Sequence, residues 1–248
     1  PRVRDMASQL RYQAAHDGLT GLINRTTFEQ LLEAVLESAR EENVDHALMY
    51  IDLDQFKVIN DTCGHVAGDG LLKQLALRLT SCIRDTDTLA RLGGDEFGVL
   101  LERCQLERAG EVAEKLRQAV HSYRYVWKDK VFEVGASIGL VPINADSGTI
   151  SDVLSGADAA CYVAKDRGRN RIHVFHPADE DVAERKGEMQ WINVIQRAWD
   201  DNAFELHMQP ILALDDGSTI ATSAEFLLRL RKADGELVRP TVFLPAAE

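Results

Sequence analysis

The chain is poor in cysteine, proline, aromatic residues and positive charge, and it has no long apolar run. Its four cysteines, Cys63, Cys82, Cys104 and Cys161, include no C-x-x-C pair. The pattern reads as reduced thiols rather than a zinc site. Six prolines in 248 residues, with a hydrophobic fraction of 45%, exclude a disordered or low-complexity chain. No apolar run approaches the roughly 18 residues that span a bilayer. Lys and Arg number 28 against 40 Asp and Glu, a formal charge of −12. Such a balance argues against a general polyanion-binding surface, so no nucleic-acid partner is expected. A phosphate ligand would need a local site helped by a cation. The chain opens on Pro1-Arg2-Val3 with neither a start Met nor a signal-peptide pattern. It therefore reads as a fragment, with membrane association only through a segment upstream.

The length suits one or two domains. Residues 2–16 place Val3, Met6, Leu10 and Ala14 on one helical face. That narrow stripe fits either the end of a coiled-coil stalk or an ordinary amphipathic helix. The turn residues of His16-Asp17-Gly18-Leu19-Thr20-Gly21 end it. Thr26 and Glu29 have capping-box spacing ahead of Phe28, Leu31, Leu32, Val35 and Leu36, the core face of a second helix. The apolar run 47–51 predicts a strand buried on both faces, delivering Asp52 and Asp54 at its end. Helices are predicted over 66–83, 107–122 and 150–166, and a hairpin over 89–101 with Gly93-Gly94-Asp95-Glu96 at its tip. Residues 131–141 alternate as a strand with one buried face, and 171–175 form a short last strand. Strands alternating with helices, one strand pair being a hairpin, predict a mixed, mostly antiparallel sheet with helices packed on it. Composition shifts at His176. A polar stretch follows, then Trp191, Ile192, Ile195 and Trp199 on one helical face, then a β-like segment from Phe204.

Four clusters concentrate chemistry. Asp52-Leu53-Asp54 at a strand end reads as a solvated terminus or as oxygen ligands for a hard cation. Asn60-Asp61-x-x-Gly64-His65-x-x-Gly68-Asp69 mixes amide, carboxylate and imidazole with small residues that admit a ligand. An amide facing the six-oxo side and a carboxylate accepting from N1–H and the exocyclic amine match a guanine edge. In Arg91-Leu92-Gly93-Gly94-Asp95-Glu96-Phe97, two glycines permit a tight turn, and two carboxylates between apolar strands suit a metal or a reacting hydroxyl. Lys165-Asp166-Arg167-Gly168-Arg169-Asn170 puts cations at a helix C-terminus, which suits the macrodipole as well as a phosphate.

Together these residues resemble a GGDEF domain, the diguanylate cyclase family. The matches run from Asp17-x-Leu19-Thr20-Gly21-Leu22-x-Asn24-Arg25 through the Asp52–Asp69 and Arg91–Phe97 segments to Ser137-Ile138-Gly139 and Ala164-Lys165-x-x-Gly168-Arg169-Asn170. They cover residues 15–175. The resemblance implies a nucleotidyl-cyclase or palm-like α/β (α+β) fold with a mostly antiparallel five-stranded sheet over 17–176, after a stalk-helix end at 1–16. It implies condensation of two GTP into cyclic di-GMP, with Mg²⁺, or Mn²⁺ as the alternative. The ligands would be Asp52, the Leu53 carbonyl, Asp95 and Glu96, with Glu96 also the general base. Asn60 and Asp69 would read guanine, His65 would border that pocket, and Lys57, Lys165 and Arg169 would neutralise phosphates. Because the product is two-fold symmetric, the resemblance implies a homodimer through these domains and the stalk helix, on the cytoplasmic side of a bacterial cell. Arg84-x-x-Asp87 has the spacing of the family's product-inhibition site. Lys115 stands where family members often carry Arg, and Lys cannot fork onto its partner.

A second resemblance begins near residue 185. Phe204-x-Leu206-x-x-Gln209-Pro210-Ile211, Ala224-Glu225-Phe226-Leu227-Leu228-Arg229 and Pro240-x-x-Phe243-Leu244-Pro245 resemble the start of an EAL cyclic di-GMP phosphodiesterase, a TIM-like barrel. Here 177–203 would be a linker helix and 204–248 the barrel's first part, with Gln209, Glu225 and Arg229 as incomplete site residues. Phe204, Leu206 and Phe226 are expected to be exposed. The leading reading is a cyclase. The alternative is a catalytically weak GTP-binding module that regulates an attached phosphodiesterase.

Overall fold

The computed structural model describes residues 12–176, 194–211, 223–232 and 235–244, and the chain divides into two units at Val182/Ala183. The first unit contains β1 (Ile23–Asn24), α1 (Arg25–Glu42), β2 (His46–Asp54), α2 (Phe56–Cys63), α3 (His65–Thr80), β3 (Thr88–Gly93), β4 (Glu96–Leu101) and α4 (Leu106–His121). It continues with β5 (Arg124–Trp127), β6 (Lys130–Glu133), β7 (Gly135–Ile143), α5 (Ile150–Asp166) and β8 (Ile172–Val174). Six strands form one sheet in the order β1-β3-β4-β2-β7-β8, while β5 and β6 form a separate ribbon. Only the outer pairs β1·β3 and β7·β8 are parallel; the inner pairings are antiparallel.

All nine residues of β2 are buried, because it lies at the centre of the sheet with helices on both faces. Strand alternation then sorts its side chains. Ala47, Met49, Ile51 and Leu53 join the core under α2, α3 and α4, whereas Leu48 and Tyr50 join the core under α1 and α5. Each buried Leu or Ile contributes roughly 1.5–3 kcal/mol. The strand is thus the mechanical centre of the unit, and its last turn out of the core carries the acidic residues.

Several elements differ from the sequence expectation. The sheet has six strands rather than five, because the two-residue β1 adds in parallel beside β3. The second helix begins at Arg25, and its cap is Asn24, whose side chain accepts from Thr27 N at 3.0 Å. No Thr26–Glu29 capping box forms, and Glu29 instead faces Arg25 at 3.5 Å. The stretch 131–141 breaks at Val134 into β6 and β7. As the neighbour of β2, β7 is buried on both faces rather than one. Residues 56–63 are helical, although their apolar spacing is too short to announce it. Residues 12–15 are helical, with Ala14 exposed; Val3, Met6 and Leu10 lie outside the described residues.

The second unit contains a three-stranded antiparallel sheet, in the order β11-β10-β9, of β9 (Phe204–Ile211), β10 (Ser223–Arg231) and β11 (Leu237–Val238). Residues 194–200 are helical. Val194, Ile195 and Ala198 pack with Leu230, Val238 and Phe243, so this part of the expected linker belongs to the second unit's core. Trp199 is exposed instead of sharing the apolar face; Trp191 and Ile192 lie outside the described residues. Leu206 and Phe226 are exposed as expected, but Phe204 is half-buried against Phe243, with ring centroids 6.0 Å apart.

Candidate functional site

Register brings the acidic residues together. In the β2–β4 ladder Asp52 pairs with Glu96, and in the β2–β7 ladder it pairs with Ser137. Leu53 N donates to the Asp95 carbonyl at 3.3 Å, fixing the hairpin tip against the strand end. The tip needs its glycines: Gly93 has φ 152° and Gly94 φ 47°, a region that side chains disfavour. Arg91 locks the turn from behind. It donates from Nε and Nη2 to the Gly94 carbonyl at 3.1 and 2.8 Å, and from Nη1 to both oxygens of Asp17 at 3.2 Å. Asp17 also accepts from Thr20 N and Oγ1. Although burial works against its charge, the hydrogen bonds from Thr20 and the Arg91 guanidinium hold its carboxyl below the usual range.

Lys165, on the last turn of α5, reaches Asp52 with Nζ 2.6 Å from Oδ2. Asp52 is 9% exposed. Burial pushes its carboxyl up to about 6, against the opposing pull of Lys165, and the charges of Asp95 and Glu96 push the same way. Burial disfavours the Lys165 ammonium, but Asp52 more than compensates and raises its pKa. The corner thus concentrates more negative charge than one lysine satisfies. Tyr50, two residues back on β2, lines an open cleft of about 310 Å³ with Glu96, Arg25 and Asp158. Burial, and then the Glu96 carboxylate, push its phenol upward.

Asp54 has a different role. Its Oδ1 accepts from Ser137 Oγ at 2.7 Å and its Oδ2 from Asn170 N at 2.8 Å. This anchors the turn after α5, where Arg169 and Asn170 have φ 60° and 46°. The carboxylate therefore secures the end of the helix that carries Lys165. Arg169 is exposed on that turn, and Lys57 is exposed on α2. Gln55, the N-cap of α2, has φ 62°, so the strand turns sharply into the helix right after the acidic end.

The guanine-reading candidates sit on adjacent helices. Asn60 is on α2, and His65 and Asp69 are on the first turns of α3, both exposed. Gly68 brings the helices together: a Cβ there would lie 2.1 Å from Asn60 Oδ1 and 2.9 Å from Phe56 Cζ. The Asn60 Oδ1 atom is buried without a hydrogen-bond partner. A buried amide oxygen with no protein partner is costly.

Among the described residues no three His, Cys, Asp or Glu side chains form a ready-made metal cluster. The donor set suits Mg²⁺ in another way. That ion favours one or two carboxylates, with water and substrate phosphates completing its octahedron. Asp52, whose carboxyl burial pushes up to about 6, is a buried carboxylate whose charge a divalent cation would offset.

A family model described as diguanylate cyclase, GGDEF domain, matches residues 14–171. The chain belongs to the GGDEF diguanylate cyclase family. It is 43% identical over 192 residues to the probable diguanylate cyclase DgcE of Escherichia coli, covering 76% of this chain and 17% of that protein. It is 38% identical over 244 residues to the cyclic di-GMP phosphodiesterase PdeB of Shewanella oneidensis, covering 97% of this chain and 28% of that protein. The chain therefore spans less than a third of the length of either relative. The solved coiled coil and GGDEF domain of DgcB from Caulobacter crescentus, in complex with c-di-GMP, matches with a TM-score of 0.66 at 30% identity, covering 70% of this chain and 92% of that one.

Within the GGDEF domain, Arg84 and Asp87 line an open cleft of about 350 Å³ with His16, Leu22, Thr80 and Ile83. Asp87 Oδ2 accepts from Arg84 N at 3.0 Å, which shapes the turn. Lys115 does not line this cleft; its ammonium donates to the Cys82 carbonyl at 2.8 Å. Arg91 and Asp17 support the site from behind, although the sequence motifs assign neither of them a role. Asp54, by its spacing a candidate cation ligand, serves as an anchor for the turn after α5. Among the described residues no helix is long and apolar enough to cross a membrane. In the second unit, Gln209 and Glu225 are exposed register partners across β9 and β10. Arg229, on the same strand face, donates to its neighbour's carbonyl, Leu228 O, at 2.7 Å.

Proposed function

We propose that the first unit is a diguanylate cyclase that condenses two GTP into cyclic di-GMP and releases two pyrophosphates. The observation that supports this best is the convergence of Asp52, Glu96 and Lys165 at one strand end, beside a Gly-Gly turn locked by Arg91. Asn60 and Asp69 hold guanine, with His65 at the rim, and Lys57, Lys165 and Arg169 balance phosphate charge. Mg²⁺, or Mn²⁺ in its place, would be held by Asp52, the Leu53 carbonyl, Asp95 and Glu96, and would neutralise the triphosphate and its leaving group. Glu96 accepts the 3′-hydroxyl proton as that oxygen attacks the α-phosphorus in line. The bond to the β-phosphate oxygen breaks, and pyrophosphate leaves. Such chemistry depends on positioning and charge stabilisation more than on covalent help.

One domain holds one GTP, so two copies must face each other, as a homodimer through the GGDEF domains with the segment before Asp17 as stalk. Arg84 and Asp87 form the product-binding turn. Lys115, committed to Cys82 O, lends that site a single point charge at most. The second unit is the start of an EAL barrel, with Gln209, Glu225 and Arg229 as its part of a site completed by later strands. The whole is a bacterial GGDEF–EAL protein acting on the cytoplasmic side of the membrane. The test is nucleotide chromatography after incubation with GTP and Mg²⁺: cyclic di-GMP forms, and Glu96→Gln abolishes it while GTP still binds. Equal turnover in Glu96→Gln removes the base assignment. The 97% alignment with a protein named a phosphodiesterase favours a second reading, a GTP-binding regulatory module. Bound GTP without product in the wild type would select it.

A further inference from the structure

The β5–β6 ribbon lies outside the central sheet, and its inward residues are committed to α3. Tyr125 is 1% exposed, and its hydroxyl donates to the Ala67 carbonyl at 2.7 Å. A Cβ on Gly70 would lie 2.7 Å from that hydroxyl and 3.6 Å from Trp127 Cζ3. Farther along α3, Tyr123 bonds Gln74, and Arg78 sits 5.5 Å from the Tyr123 ring centroid. Asp69 therefore stands between two glycines pressed against different elements, Gly68 against α2 and Gly70 against the ribbon. A Phe at 125 would fill the same core space. A buried hydroxyl is tolerated because it is bonded, and its bond ends on the first turn of α3.

We propose that Tyr125 is a positioning residue for base recognition: its bond to Ala67 O holds the turn carrying Asp69 at the distance from Asn60 that guanine requires. The inference rests on the reading of Asn60 and Asp69 as guanine contacts. The test is calorimetric binding of the α,β-methylene analogues of GTP and ATP, which cannot be cleaved at the reacting bond. Tyr125→Phe is expected to weaken the guanine analogue about fivefold, the worth of one hydrogen bond, and to leave the adenine analogue unchanged. Gly70→Ala is expected to weaken the guanine analogue at least as much, because its methyl meets the hydroxyl. In the Gly70→Ala/Tyr125→Phe double variant the methyl occupies the vacated space, so guanine affinity returns to that of Tyr125→Phe alone. Unchanged guanine affinity in both single variants overturns the proposal, as does equal weakening of both nucleotides, which marks a merely structural role. A wild-type protein that binds both analogues equally overturns the guanine reading itself, and the two failures are told apart by that control.

Discussion

Asp52→Asn is expected to stabilise the metal-free protein at neutral pH. The carboxyl is raised from 3.8 to about 6, chiefly by burial. A tenfold change in proton affinity is worth about 1.4 kcal/mol, so the ionised form costs the fold on the order of 3 kcal/mol at pH 7. Asparagine keeps the shape and an oxygen facing Lys165 while removing that charge. For a domain of this size, 1 kcal/mol moves the melting temperature by about 2–4 °C, so a rise of up to ~10 °C is expected. The sign with pH follows from the folded state binding the proton more tightly than the unfolded chain. This group's contribution is most favourable below the unfolded pKa near 4, falls as pH climbs toward 6, and is flat above that. Asp17 and Glu114 act oppositely. Their carboxyls are lowered, Glu114 to about 2 by its Arg117 hydrogen bonds, so their stability is lost as pH falls. Subtracting the Asp52→Asn curve from the wild-type curve isolates Asp52. The assay is thermal unfolding from pH 4 to pH 8 in chelator, repeated with Mg²⁺ and the α,β-methylene GTP analogue. Ligand should stabilise the wild type above pH 6 and help the variant far less. A variant that melts at or below the wild-type temperature at pH 7.5 without metal would falsify the claim that Asp52 is held in unfavourable ionisation.

Glu96→Gln is expected to lower cyclic di-GMP formation by about 10²–10⁴-fold, the usual worth of a general base, with GTP affinity retained by calorimetry. Arg84→Ala should leave the initial rate similar and sustain activity late in the progress curve; an unchanged curve removes the product-site assignment. Arg91→Lys keeps the charge but loses the fork to Gly94 O and Asp17, and is expected to lower both turnover and stability, the latter by about 1–3 kcal/mol. Full activity and an unchanged melt would show that the turn holds without the clamp.

The features legible in the sequence are those enforced by local chemistry. The apolar run of β2 announces a strand buried on both faces, and Gly93-Gly94 announces a tight turn. The helix predicted over 150–166 is realised as α5 with the same bounds. What escaped is set by partners distant in sequence. Asn24 caps α1 because β1 delivers it there, a fact that Thr26 and Glu29, with their local spacing, cannot reveal. Tyr125 and Trp127 sit in a four-residue strand whose turn contains Lys128 at φ 53°, too short for a periodic signal. The continuous alternation over 131–141 hides the break at Val134, since a ribbon edge and a central strand share the same period. Arg91 bonds Asp17 across 74 positions, and no local window contains both.

Asp52 and Asp54 show why a motif underdetermines its own chemistry. Two residues apart on one strand, they leave on the same face of the sheet. Each Asp54 oxygen already accepts one hydrogen bond, from Ser137 and from the Asn170 amide, which ties this carboxylate to the turn after α5. Among the described residues Asp52 is paired with Lys165, and that lysine stands at the end of the helix that Asp54 secures. One carboxylate fixes the geometry of the cation that faces the other. Removing Asp54 would therefore reach the site through Lys165, by loosening the turn at 168–170, whereas removing Asp52 acts on charge directly. Substitutions at the two positions should differ in kind. The first disorders the site and lowers stability, while the second disarms the site and raises it.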